Sequence, residues 1–212
     1  MYVTSRELTP APGQFQQTIA FGSEIVGVMN SRYGSSMAMS TEIGGDPNKI
    51  WLTGFWESLS DYQSFQESNM ADQQIMAAIT MSSSFIKDMK DQIGQIIRPP
   101  GERKAFAQMH RGRVKSVNLH AGMDWAMRVG DYVSDLSGTE QGLVVPVTGD
   151  QYELIFVSYA DSLHDLRSMV EHWSVDEGYL ALFNEGVELF EPKFEVTYNL
   201  SLIHISEPTR PY

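Results

Sequence analysis

The stretch Ser58–Glu67 reads SLSDYQSFQE, and Ser162–Glu171 reads SLHDLRSMVE. The two segments are separated by 104 positions, since 162 − 58 = 104. In each segment an aspartate follows a serine three residues later, which is typical of a capping box at the start of a helix. The same shift pairs Gly34 with Gly138, and each follows a helical pattern as a stop signal. This self-similarity predicts that the chain contains two copies of one folding unit.

The order of patterns is the same in both copies. A helical stripe of apolar residues comes first, then a short strand at 36–42 or 141–147, then a turn. The third strand is KIWLTGFWE in one copy and YELIFVSYA in the other, and the capped helix follows it. A last strand is expected at 193–198. Its counterpart near 93–97 is shorter and displaced, so we expect the register to slip there. Each copy is predicted as a ferredoxin-like βαββαβ unit.

Both faces of the third strand are apolar or aromatic in the first copy. Ile50, Leu52 and Trp56 lie on one side, while Trp51 and Phe55 lie on the other. A lone ferredoxin-like unit covers only one sheet face with helices, so the other copy is the expected cover for the second face. The predicted fold class is α+β, with two tandem units packed sheet to sheet as a pseudo-dimeric α+β barrel. The expected domains are a first repeat at 1–98, a linker at 99–103 and a second repeat at 104–199.

Composition excludes several classes of function. The 212 residues contain no cysteine, which removes disulfides, thiol catalysis and cysteine-ligated metal sites. A net charge of −12 argues against a nucleic-acid partner, because such proteins use Lys and Arg on phosphates. The sequence contains no apolar run long enough for a membrane span and no pattern of a secretory signal, so no membrane partner and a cytoplasmic location are expected.

Trp56–Phe65, WESLSDYQSF, resembles the strand-to-helix signature of the NIPSNAP-like and antibiotic-biosynthesis-monooxygenase-like members of the dimeric α+β barrel superfamily. The resemblance implies a fold more than an activity. Members include cofactor-free oxygenases of aromatic polyketides, isomerases, haem enzymes and proteins with no known reaction. Separately, Leu200–Arg210, LSLIHISEPTR, resembles a translated transposase sequencing adapter, so 200–212 is expected to carry no functional information.

In this superfamily the pocket lies between the sheet and the helices of one unit, where aromatic side chains can bind an apolar ligand. A pocket is expected in only one copy, because the aromatic residues are not equivalent: Trp56 aligns with Ala160, and Trp173 with Asn69. Core packing is the alternative role for each of these aromatic residues. The candidate ligand-binding residues are Trp51, Trp56, Tyr62, His120, Trp125 and Tyr159.

These observations leave three hypotheses. The first is a protein that binds or oxidises a small apolar or aromatic compound with no cofactor, neither metal nor dinucleotide, since no phosphate-binding, dinucleotide or H-E-x-x-H motif is present. The second is a non-catalytic structural or interaction module. The third is a haem-binding barrel, which requires His110, His120 or His172 to face an open cleft. Catalytic residues are unknown, and the chain is expected to act as a pseudo-dimeric monomer or as a homodimer.

Overall fold

The computed structural model describes residues 1–202 of the chain. Packing divides these residues into two compact units. Unit 1 comprises Met1–Ile93 together with Ser201 and Leu202, and unit 2 comprises Gly94–Leu200. Within residues 1–202, no helix combines the length and the apolar character that crossing a bilayer requires. The predicted repeat and linker boundaries describe the duplicated sequence, and they stay a prediction.

Unit 1 has three helices and an antiparallel sheet in which β3 lies between β1 and β2. Its elements are β1 (Tyr2–Pro10), α1 (Phe15–Tyr33), β2 (Ala38–Ile43), β3 (Ile50–Trp56), α2 (Leu59–Ala71), α3 (Gln73–Ser82) and β4 (Ile86–Arg98), whose last five residues belong to unit 2.

Unit 2 repeats this order. β7 lies between β5 and β6, β5 also pairs with β8, and β6 pairs with the end of β4, all antiparallel. The elements are β5 (Phe106–Val114), a 3-10 turn (Ser116–Asn118), α4 (Leu119–Ser137), β6 (Gly142–Pro146), β7 (Glu153–Ala160), α5 (Leu163–Trp173), α6 (Glu177–Val187) and β8 (Phe190–Ser201).

The shift of 104 positions relates the two units along their whole length. It maps both ends of β1 onto β5 and both ends of α1 onto α4, and it maps Ile86, the first residue of β4, onto Phe190, the first of β8. The expected slip of register at the last strand is therefore wrong. Residues 87–92, KDMKDQ, are polar and exposed, so β4 lacks the apolar alternation that marks a half-buried strand. The α+β class and the repeated βαββαβ order are confirmed.

The turn and cap signals hold their predicted places. Ser58 and Asp61 form a reciprocal capping box at α2, and at α5 the Ser162 side chain accepts a hydrogen bond from the Asp165 amide. Gly34 and Gly138 end α1 and α4 with φ of 62° and 67°, a left-handed conformation that favours glycine.

The core of each unit lies between its sheet and its helices, but the two cores are organised differently. In unit 1 the buried residues form two separate clusters, one around Leu8 and Leu52 and the other around Met29 and Phe65. In unit 2 they form a cluster that includes Trp125, Phe156, Trp173 and Phe190.

The chain's last described residues continue the fold. The amide of Leu202 donates a hydrogen bond of 2.8 Å to the carbonyl of Met39. Of the stretch that resembles a sequencing adapter, 203–212 lies outside the described residues.

Candidate functional site

The sheet and helices of unit 1 surround a cavity between the two core clusters. The volume that the centre of a water molecule can occupy in it is about 60 Å³. One water needs about 10–15 Å³ on this measure, so the cavity has room for several waters. Its floor is apolar and comes from both clusters. The floor residues are Leu8, Ile25, Met29, Leu52, Phe65 and Ile79.

An aromatic group forms one wall of this cavity. The ring centroid of Trp56 lies 4.6 Å from that of Phe65 and 5.4 Å from that of Tyr62, and the last two line the cavity. The indole N–H of Trp56 donates to Thr4 Oγ1 at 2.9 Å. A Cβ at Gly54 would come within 3.0 Å of the indole ring, so the glycine leaves the space that Trp56 occupies. This arrangement fixes the wall from the strand side.

Asn69 places an unpartnered polar group in the same cavity. It lies on α2, its residue is 5% exposed, and its buried Oδ1 accepts no hydrogen bond. Leaving a buried acceptor unsatisfied costs about 1–3 kcal/mol. Asn30 of the same unit shows the usual outcome: its amide donates to Met37 O, and its Oδ1 accepts from Ser35 Oγ and Met37 N, all within 2.9 Å.

A salt bridge lies at the more exposed side of the cavity. The Arg6 guanidinium donates two hydrogen bonds to Asp91, at 2.6 Å and 2.7 Å, and the pair is part-exposed. The hydrogen bond to Asp91 raises the pKa of Arg6 further above its usual range, so the guanidinium is charged at neutral pH.

The Tyr62 hydroxyl lies near this salt bridge and accepts a hydrogen bond of 2.7 Å from Gln66 Nε2. Burial raises the pKa of Tyr62, the charge of Asp91 adds to the effect, and Arg6 opposes it. The phenol is therefore neutral at physiological pH. The site as a whole combines an apolar floor, a neutral phenol, a paired charge at the edge and a free amide oxygen.

The equivalent positions of unit 2 carry larger side chains. Phe21 and Asn69, which line the cavity of unit 1, correspond to Trp125 and Trp173, both buried. The indole N–H of Trp125 donates to Leu182 O at 2.6 Å. A Cβ at Gly186 would come within 2.5 Å of the Trp125 ring, so this tryptophan also depends on a glycine for its space.

His110 occupies in unit 2 the position that Arg6 has in unit 1. Burial lowers the pKa of His110, and its Nε2 is buried without a hydrogen-bond partner. Its ring centroid lies 6.5 Å from that of Trp173, whose indole N–H is also unpartnered. The buried imidazole is therefore neutral at physiological pH and lies against an aromatic core.

The structure brings two of the six predicted site residues to the cavity: Tyr62 lines it, and Trp56 packs on its wall. Trp51 lies on the other face of β3 with a buried, unpartnered indole N–H.

The other three predicted residues belong to unit 2. Trp125 is in the core, and Tyr159 is half-buried on β7, where burial raises its pKa. The side chain of His120 is 94% exposed and lies 3.5 Å from Asp124. A ligand-binding role for all six residues stays a prediction.

Sequence reasoning missed Asn69, Arg6 and Asp91 as parts of the site. Asn69 follows Tyr62 and Phe65 at helical spacing, so a polar residue on an apolar stripe was the available signal. Asp91 lies in the polar run of β4 and gave no signal. Among residues 1–202, no group of three or more His, Asp or Glu side chains is arranged to hold a metal ion, and His164 and His172 are exposed.

Three solved structures share this fold over nearly their whole length. A candidate monooxygenase from Lactobacillus acidophilus NCFM is 9% identical with a TM-score of 0.68, and the match covers 94% of this chain and 93% of that chain. A candidate monooxygenase from Fusobacterium nucleatum subsp. nucleatum ATCC 25586 is 8% identical with a TM-score of 0.66, covering 95% and 92%. An anthrone oxidase-like protein is 12% identical with a TM-score of 0.62, covering 95% and 91%.

At these identities the likeness shows the fold alone. It confirms the predicted α+β fold. No family model matches the chain, and no curated protein matches it in sequence.

We expect Asn69→Leu to raise the free energy of unfolding by about 1 kcal/mol, because it replaces an unsatisfied buried amide with an apolar group of similar size. Asn30→Leu is the matched control, and it should lower the free energy of unfolding because it breaks three hydrogen bonds. Urea unfolding of both variants measures the difference. A loss of stability in Asn69→Leu comparable to that in Asn30→Leu would show that Asn69 is a structural residue.

We also expect His110 to make stability depend on pH. Because burial lowers its pKa in the folded state, the unfolded state binds the proton more readily. The stabilisation from the neutral imidazole is complete above about pH 6.5 and is lost as the pH falls from there towards the lowered pKa. Urea unfolding of wild type and His110→Gln at several pH values should show the wild type losing its relative stability on acidification. His120→Gln is the surface control, and an equal response in both variants would contradict the assignment.

Proposed function

We propose that unit 1 binds a small, largely apolar molecule in the cavity between its sheet and its helices, without a metal or a dinucleotide. The observation that carries this proposal is the unpartnered Oδ1 of Asn69 in a cavity with an apolar floor. Binding sites for small molecules are mostly apolar and contain a few polar groups that orient the ligand. Residues at binding sites commonly lower the stability of the fold, as the unpartnered oxygen of Asn69 does here.

The size of the cavity limits the ligand. An apolar cavity of about 150 Å³ accommodates benzene, and this one is smaller. Three methionines, Met29, Met37 and Met89, line it, and their flexible side chains can move to enlarge it. We therefore expect a ligand of one ring or less, bound with a change in the methionine conformations.

The difference between the two units supports a role beyond packing. Unit 2 has the same order of elements, yet it fills the equivalent space with Trp125 and Trp173. The topology is thus compatible with a filled core, and the open space in unit 1 is a property of its side chains.

Oxidation of the bound molecule is the second candidate activity, suggested by the candidate monooxygenases and the anthrone oxidase-like protein that share the fold. Dioxygen would be the oxidant: an activated CH₂ group and O₂ would give a C=O group and H₂O. Arg6 lines the cavity, and its Nη1 lies outside the two hydrogen bonds to Asp91, so the guanidinium would interact through that nitrogen with a substrate anion formed on the way. Oxygen uptake with compounds shown to bind, lost in Arg6→Met, tests this. Binding without uptake would leave the first proposal in place and remove the second.

The double variant Trp56→Ala/Asn69→Trp tests the binding proposal. It gives unit 1 the Ala160 and Trp173 pair of unit 2, so the large ring then comes from the helix and fills the cavity. With ¹³C-methyl-labelled methionine, toluene should shift the signals of Met29, Met37 and Met89 in the wild type and not in the double variant.

Trp56→Ala alone is the control for this experiment. It removes bulk from the wall without filling the cavity, so its methionine signals should still respond to toluene. The unit 2 methionines report whether the fold is intact. Equal toluene affinity in the wild type and the double variant would refute the proposed site.

A further inference from the structure

We infer that the molecule bound in unit 1 donates a hydrogen bond to Asn69 Oδ1, and that it therefore carries a hydroxyl group on an otherwise apolar body. The inference rests on the proposed function, because it names the chemistry of the ligand for the same cavity. Its starting point is a single atom: an acceptor on a residue that is 5% exposed, lining a cavity and without a partner.

Three of the residues that line the cavity already use donor groups elsewhere. Gln66 Nε2 donates to the Tyr62 hydroxyl at 2.7 Å, and Ser82 Oγ donates to Ile79 O at 2.7 Å. Arg6 Nε and Nη2 both donate to Asp91. These three residues line the same cavity as Asn69. No donor among the described residues pairs with Asn69 Oδ1, so the inferred donor comes from whatever occupies the cavity.

The surroundings select a neutral donor. Asp91 is paired with Arg6, and the floor consists of Leu, Ile, Met and Phe side chains, so an ammonium group would lose its hydration without gaining a free anion. One acceptor atom requires one donor. A hydroxyl group meets this requirement with little polar surface left over for the apolar floor.

The acceptor also gives the site a means of discrimination. A ligand without a hydrogen-bond donor leaves Asn69 Oδ1 unsatisfied, so it binds more weakly than a ligand of the same shape that pairs with this buried atom. Discrimination by a polar group of this kind is stronger than discrimination by one methyl group in an apolar pocket. Asn69 is thus the specificity-determining residue of the cavity.

Phenol and toluene are the matched probes for this inference, because they differ by a hydroxyl in place of a methyl group. Each is titrated into full-length protein with ¹³C-methyl-labelled methionine, and binding is read from Met29, Met37 and Met89. Signals of Met109, Met123, Met127 and Met169 in unit 2 are the internal reference. Both probes are titrated into the wild type and into Asn69→Leu.

We expect Asn69→Leu to weaken phenol binding about tenfold and to leave toluene binding unchanged or tighter, which changes the ratio of the two dissociation constants by at least about tenfold. Phenol and toluene differ in their hydration, but this difference is the same for the wild type and for Asn69→Leu. Comparing the ratio of the two dissociation constants between the proteins therefore removes it. Asn69→Ala, which removes the amide without adding bulk, should change the ratio in the same direction.

The outcomes separate the inference from the proposed function. If both probes bind the wild type and the ratio is the same in Asn69→Leu, the inference is overturned, a retained water satisfies Asn69, and the cavity is still a binding site. If neither probe shifts Met29, Met37 and Met89 in the wild type, the proposed function fails as well.

Discussion

In each unit the helices lie over one face of an antiparallel sheet, and the space between the two layers has to be closed to water. Each Å² of apolar surface left in water costs about 25 cal/mol, so large side chains must fill this space from one layer or the other. In unit 1 the large ring comes from the strand, as Trp56 at the end of β3. In unit 2 it comes from the helix, as Trp173 at the end of α5.

In each unit, the layer that does not supply the large ring can have a smaller or polar residue at the equivalent position. In unit 2 the strand position equivalent to Trp56 is Ala160, which has a small side chain. In unit 1 the helix position equivalent to Trp173 is Asn69, which has a polar side chain. The difference between the units has a basis in packing. The Trp56 indole lies against Gly54 and donates a hydrogen bond to Thr4, and a cavity remains beside the aromatic group that it forms with Tyr62 and Phe65. The large ring therefore comes from different layers in the two copies, and in unit 1 it lies beside a cavity.

The sequence predicts those features that the backbone dictates locally. Ser58 with Asp61, and Gly34 with Gly138, were found from residue type and spacing, because a helix end requires a cap or a left-handed residue wherever it occurs. β4 was placed less well, since its exposed residues carry no apolar alternation. The expectation of a pocket in only one copy rested on the unequal aromatic pairs, and it stays a prediction; Tyr62, one of the residues named for it, lines the cavity of unit 1.

Asn69 could not be identified in the same way, because its importance is not a property of the residue type. It depends on the cavity beside Asn69 and on long-range pairs such as Arg6 with Asp91, and tertiary packing decides both. Trp56 and Trp125 illustrate the same limit. Both are buried tryptophans on an apolar stripe, yet one lies beside a cavity and the other lies within a packed core.

Unpartnered polar atoms occur in both units, so such an atom is informative only with its surroundings. In unit 2, His110 Nε2 and the Trp173 indole N–H are unpartnered beside the aromatic residues of the core, and such unpaired buried groups lower stability. In unit 1 the buried, unpartnered oxygen belongs to Asn69, a residue that lines a cavity with an apolar floor. A packing role does not explain this combination, because a leucine at position 69 would remove the cost of the buried acceptor. The tryptophan at the equivalent position 173 shows that the fold accepts a large apolar group at this place in the helix. The cavity and the amide together therefore favour a ligand site in unit 1 over a packing role.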